Sequence, residues 1–171
     1  MMAWLTDHAL VYGTWGVLAA VLLLPALEAA LPLIGVLLPG QTAVMMGGVM
    51  AHHGRVPLGW IVVTALLGAI LGNGLGYAVG RRWNTRLLDR VPRRMLRPHL
   101  TARALSAIQR HGGRAVFVGR FTAGLRTLVP TLCGISGMSV RSYLAWSFVS
   151  SAVWAPTFVL VGYGMGFSPG L

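Results

Sequence analysis

The chain has 171 residues, the length of one domain, and is 56% hydrophobic but only 10% charged, where a soluble domain carries about 25% charged residues. Mean hydropathy is +0.71, so an ordinary soluble domain is excluded and an all-α integral membrane protein is expected. A net charge of +11 could suggest nucleic acid, but ten of the fourteen basic residues, all arginine, fall between positions 81 and 114; with no aromatic-interleaved basic motif, this reads as one cytoplasmic loop near anionic lipid and excludes a nucleic-acid partner.

Residues 1–27 superficially resemble a signal peptide, yet Asp7 stands where a positive n-region belongs, which predicts a retained membrane segment. Its apolar part, residues 9–27 with Pro25 near the end, is about long enough to span a bilayer. Residues 28–50 stay apolar but are broken by Pro32, Gly35, Pro39-Gly40 and Gly47-Gly48. Such breakers at membrane depth are tolerated where protein or a water-filled cavity surrounds them, so a re-entrant hairpin is expected. A polar turn follows at 51–56, with His52, His53 and Arg55. Adjacent histidines on a helix point apart and no third ligand is near, so a solvated turn is expected and no metal site. Residues 57–79 read as a spanning helix, in which Gly68, Gly72, Gly76 and Gly80 predict close packing within or between protomers, leaving a homo-oligomer open.

In the basic loop, Arg82, Arg86, Arg90, Arg93 and Arg97 recur every three or four residues, interrupted by Pro92. A second piece, residues 101–111, sets Leu105 and Ile108 opposite Arg103 and Arg110. Both pieces predict amphipathic helices on the inner membrane surface, the second ended by Gly112-Gly113. Residues 114–138 are again apolar but broken, by Gly119, Gly124, Pro130, Gly134 and Gly137, and 142–161 form another spanning segment with a kink expected at Pro156. Cys133, the one cysteine, allows no internal disulfide and reads as a small packed residue.

The two halves look alike: a broken apolar segment, a helix-length run, then Gly-Tyr-x-x-Gly at Gly76–Gly80 and at Gly162–Gly166. Paired broken segments in matching positions are the pattern of a transporter repeat with its site where they meet. The expected architecture is one membrane domain, residues 1–171, made of an inverted repeat of re-entrant hairpin plus transmembrane helix. Repeat one is about 28–80, the cytoplasmic loop with its interfacial amphipathic helices 81–114, and repeat two about 115–166. Tyr77 and Tyr163 read as interfacial anchors.

Arg120 and Arg126 sit inside the second broken segment. Each guanidinium stays charged at ordinary pH, and placing one at bilayer depth costs about 2.5–3.5 kcal/mol. Against them the membrane segments offer Glu28 alone, so the site carries about one positive charge with Glu28 ionised and about two with it protonated. A residual cation in a low-dielectric cavity favours an anion, and guanidinium forks match phosphate oxygens; free amides near Gly119 and Gly124 could add donors. Two plainer readings stand beside this: Arg120 could snorkel to the interface, and Glu28 could cap a helix or neutralise an arginine structurally.

These motifs resemble the DedA family, also called the SNARE-associated or VTT-domain family. The most specific signature is Phe117-Val118-Gly119-Arg120-Phe121 followed by Arg126-Thr127, Pro130 and Gly134. In the first half, Glu28 ahead of Leu38-Pro39-Gly40, and Gly72-Asn73 through Tyr77, Gly80 and Arg81, are similar to the family's pattern, so the resemblance covers about residues 20–166. Gln41 and Asn73 stand where members carry acids, which removes two ionisable groups. The chain also ends without the further transmembrane helix common in the family, as expected of a short member or a shortened chain. The resemblance implies a lipid translocase of the cytoplasmic (inner) membrane, multi-pass, without a cofactor and not an enzyme. Its cargo would be a phosphate-bearing lipid, undecaprenyl phosphate or a phospholipid. Arg120 and Arg126 would bind the phosphate. Glu28 would pair with an arginine and release it on protonation or substrate binding. Gln41 and Asn73 would line the site, while Pro39, Gly40, Gly119 and Pro130 would shape the hairpins. The alternative is a proton- or ion-coupled transporter of a small solute. An enzyme acting on lipid phosphates would need a nucleophile, base or metal, and the five histidines lie outside the broken segments. A purely structural role leaves the cost of two intramembrane arginines unexplained.

Overall fold

The computed structural model describes residues 2–31, 38–83, 98–122 and 125–167. Its elements are helices throughout: α1 (Met2–Ala30), α2 (Gly40–His52), α3 (Leu58–Trp83), α4 (Pro98–His111), α5 (Gly113–Arg120), α6 (Val129–Ile135) and α7 (Val140–Met165). Three of them, α1, α3 and α7, are long and apolar enough to cross a membrane. Helix α2, at 13 residues, extends only about 20 Å, well short of a hydrocarbon core of about 30 Å; α5 and α6 are shorter still.

Polarity is arranged for a lipid solvent. One stripe of α3, Trp60, Val63, Leu67, Leu71 and Leu75, faces outward, as do Leu144, Phe148, Val153 and Leu160 on α7. So large an apolar surface would be an aggregation liability in water. The glycines occupy the opposite face of α3. A methyl group on Gly68 would strike the Leu22 carbonyl oxygen, and one on Gly72 would strike that of Ala26. On Gly76 it would meet Ala29 O, and on Gly80 Thr131 O. The stripe therefore packs inside the protomer, seating α1 on its upper part and α6 on its lower part. Helices α2 and α7 touch in the same way, through Gly162 against Met45 O and Gly48 against Val159 O.

The helices close on two apolar clusters. Val21, Val44, Ile61, Trp154 and Val159 join α1, α2, α3 and α7. Tyr77, Ile108, Val116, Leu132, Cys133 and Tyr143 join α3 to α7. Helix α4 has the expected two faces, with Ile108 buried, Leu105 partly buried, and Arg103 and Arg110 exposed. It turns into α5 at Gly112, whose φ of 53° is open to glycine at little cost. Cys133 is fully buried, as a packed residue should be.

Three expectations need correction or placing. Helix α1 runs from Met2 through Pro25 to Ala30, beyond the expected run of 9–27 at both ends, with the Leu31 amide still bonded to Leu27 O. Neighbouring protein supports a proline there, and Gly40 lies directly against the Pro25 backbone. Tyr77 is no interfacial anchor: it is 4% exposed, stacks on Tyr143 at 4.5 Å, donates to Met138 O at 2.5 Å and accepts from Arg81 at 3.1 Å. The arginine-rich piece between Arg86 and Arg97, the breakers Pro32 and Gly35, and Gly124 lie outside the described residues.

Candidate functional site

The turn between α5 and α6 carries Arg126 to the end of α1 and the start of α2. There its Nη2 lies 2.5 Å from Glu28 Oε1, and its Nη1 donates to Gln41 Oε1. One guanidinium thus joins Glu28 of α1 to Gln41 of α2. Glu28 also accepts from the Gly40 backbone amide at the first position of α2, where the helix dipole favours a carboxylate. Glycine lets this approach be close, because a methyl group at Gly40 would displace the Glu28 carboxylate and press on the Pro25 backbone. Pro39 provides the N-cap without a side-chain bond of its own. Glu28 is therefore both the capping group and the arginine partner, two roles that the sequence could only offer separately.

Arg120, at the end of α5, is 8% exposed, which rules out a snorkelling side chain. Its Nη1 donates to Ser151 Oγ at 3.2 Å, and Asn73 Nδ2 donates to the same oxygen at 3.3 Å. Nothing acidic pairs with it among the described residues. Gly119, beside it, allows Val129 to close over α5. Pro130 sits in the first turn of α6, where a missing amide costs nothing, and packs against Gly76.

All five residues expected to form the site meet, directly or through Ser151, between the two apolar clusters. Four of them, Glu28, Asn73, Arg120 and Arg126, border a cavity of about 20 Å³ together with Thr127, Trp154, Pro25, Ala29 and Ala69, while Gln41 lies behind Arg126 and outside its lining. That volume is room for about one water molecule and too little for a phosphate. Asn73 Oδ1, Arg120 Nε and Thr127 Oγ1 are buried and find no hydrogen-bond partner among the described residues. The site is thus cationic, narrow, and incompletely satisfied on its inner side.

Sequence reasoning missed Trp154, Ser151 and Thr127. Both guanidinium carbons lie 5.9 Å from the Trp154 ring centroid. A signal existed, since Tyr143, Ser147, Ser150, Ser151 and Trp154 recur at helical spacing and form one buried face of α7. His52 lies away from this site, its ring 5.0 Å from Tyr163 and 4.1 Å from Phe167.

The VTT domain family matches residues 38–164. The chain is 34% identical over 133 residues to the inner membrane protein YohD of Escherichia coli strain K12, covering 78% of this chain and 68% of that protein. It is 27% identical over 160 residues to protein DedA of the same strain, 92% and 72% respectively. An uncharacterized membrane protein of Mycobacterium leprae is 29% identical over 133 residues, 78% and 60%. The chain therefore spans roughly two thirds of the length of these relatives. No solved structure matches. With three helices fit to cross a membrane and a buried arginine site built on the shared motifs, the chain belongs to the DedA family of VTT-domain membrane proteins.

Proposed function

We propose that the protein is a lipid translocase, a transporter and not an enzyme, which carries a phosphate-bearing lipid across the inner membrane. Undecaprenyl phosphate or a phospholipid is the cargo, and Arg120 with Arg126 holds the phosphate. The observation that carries this reading is the charge count in the cavity: a buried Arg120 and a partly buried Arg126 against one carboxylate leave about one positive charge for an anion. The unpartnered Arg120 Nε and Thr127 hydroxyl supply further donors on its inner side. Asn73 and Gln41 orient the head group, and the acyl or prenyl tail stays in lipid.

The fold is consistent with two re-entrant hairpins related as inverted repeats. The short helices α2, α5 and α6 cannot cross a bilayer. Each half packs onto the other: α2 rests on α7 through Gly48 and Gly162, and α6 rests on α3 through Gly80 and Gly134. The Arg81 to Arg114 loop lies on the cytoplasmic side in this reading. The cavity is narrow in this conformation, at about 20 Å³, so phosphate enters when Arg126 leaves Glu28.

The test is flipping of a fluorescent short-chain polyprenyl phosphate by purified protein in liposomes, read as loss of protection from an external quencher. Flipping above protein-free vesicles, abolished in Arg120→Gln, supports the reading. Flipping no faster than in empty vesicles, alongside uptake of a small solute, would favour the proton- or ion-coupled alternative, which uses the same residues.

A further inference from the structure

Two like charges share one aromatic ring in this site. Trp154 is 4% exposed, borders the cavity, and has the guanidinium carbon of Arg120 at 5.9 Å and that of Arg126 also at 5.9 Å. The two arginines come from different places, one from the end of α5 and the other from the turn before α6; the turn's backbone bonds, such as Arg126 N–H to Thr122 O at 3.2 Å, set their main chains but not where their long side chains meet. Their other contacts are unequal: among the described residues, Arg126 bonds Glu28 and Gln41, and Arg120 bonds Ser151. The negative face of an indole attracts both cations without neutralising either, and it does so best where water is excluded. A carboxylate in that place would cancel the charge an anion needs, and an aliphatic side chain would leave the like charges free to move apart.

We infer that Trp154 is a positioning residue, the platform that holds Arg120 and Arg126 at the spacing of a single phosphate. The inference rests on the anion-binding reading above and extends it to a residue of α7. When Arg126 leaves Glu28, the ring keeps it beside Arg120, so the site stays preorganised while its counter-ion changes.

The decisive experiment uses the full chain in detergent, labelled with 5-fluorotryptophan, with farnesyl phosphate as probe and farnesol as control. The chain has six tryptophans, and the Trp154 resonance in the ¹⁹F spectrum is assigned by its loss in Trp154→Phe. Farnesyl phosphate is expected to shift that resonance, and farnesol to leave it in place. Binding should weaken about tenfold or more in Trp154→Leu, which removes both cation–π contacts, and stay within about threefold of wild type in Trp154→Phe, which keeps a ring. Should Trp154→Leu fail to fold, the ¹⁹F shift and the phenylalanine variant decide alone. Farnesyl phosphate bound by wild type with no movement of the Trp154 resonance, or bound equally by the leucine variant, overturns the platform but leaves the anion site standing. Absence of phosphate-dependent binding to wild type overturns both.

Discussion

The Glu28–Arg126 pair can be weighed with a double-mutant cycle. Glu28 is 8% exposed on its side chain and Arg126 23%, so the two ends of the pair have unequal alternatives. In Glu28→Gln, Arg126 keeps Gln41 and some access to solvent, while the new amide has one acceptor oxygen to share between Arg126 and the Gly40 backbone. The expected cost is about 2 kcal/mol, the worth of a charge-assisted hydrogen bond. In Arg126→Gln, a carboxylate is stranded in the cavity wall with the Gly40 amide as its remaining strong donor. Removing one member of a buried pair costs about 3–5 kcal/mol, and about 4 kcal/mol is expected here. With both changes no charge is stranded, so the double variant should lose about 3 kcal/mol, where additivity would demand about 6. The coupling is therefore about 3 kcal/mol, and Glu28→Gln partly rescues Arg126→Gln. Equilibrium unfolding in mixed micelles, titrated with SDS and followed by helical circular dichroism, measures all four forms. If the effects add within about 0.5 kcal/mol, as for independent sites, the pair does not tie α1 and α2 to the α5–α6 turn.

Other substitutions address separate parts of the argument. Arg120→Lys keeps the charge but loses the fork that reaches Ser151 while leaving Nε free, so flipping should fall at least about tenfold; wild-type rates in liposomes would contradict phosphate gripping by Arg120. Gly162→Ala places a methyl group against the Met45 carbonyl oxygen and should cost about 3 kcal/mol by forcing α2 from α7, whereas Gly74→Ala, with nothing within 4 Å, should be neutral in the same unfolding assay. Tyr77→Phe removes the donor to Met138 O and the acceptor for Arg81, with an expected loss of about 1–2 kcal/mol.

Much of the fold was legible because lipid imposes a length rule and helices impose a period. Apolar runs near residues 9–27, 57–79 and 142–161 became α1, α3 and α7, with ends shifted by between one and seven residues. The alternation of Ile108 with Arg103 and Arg110 gave α4 its two faces. What the chain concealed depended on tertiary contact. The extension of α1 past residue 27 to Ala30 was not visible in the apolar run, since it depends on α2 and α3 packing around the proline-bearing end. Tyr77 has the composition of an interfacial anchor, and only the arrival of Met138 and Tyr143 makes it a buried strut. Arg120 and Arg126 stood out because charge in an apolar segment is expensive, and Glu28 followed as the one acid able to oppose them. Trp154 did not stand out, since a tryptophan among apolar residues is ordinary until two guanidinium groups are found beside it.

In the proposed translocase, phosphate binding and release of the hairpins draw on the same bonds. Both terminal nitrogens of Arg126 are occupied, one by Glu28 and one by Gln41, so a phosphate oxygen must displace at least one of them. Arg120 differs, because its Nε is buried without a partner, and it can receive an anion before any bond is broken. The expected order is contact at Arg120, then exchange of Arg126 from Glu28 to phosphate, with Glu28 retained by the Gly40 amide at the start of α2. Glu28→Gln removes the competing charge from that exchange and raises the site to about two positive charges. Farnesyl phosphate should therefore bind that variant about tenfold more tightly, while flipping falls because the empty site no longer recloses against a bound head group. Calorimetric affinity and liposome flipping must then move in opposite directions. A Glu28→Gln variant that binds the probe no more tightly than wild type would show that Glu28 does not compete with the phosphate, and undiminished flipping at every pH would remove it from the cycle altogether.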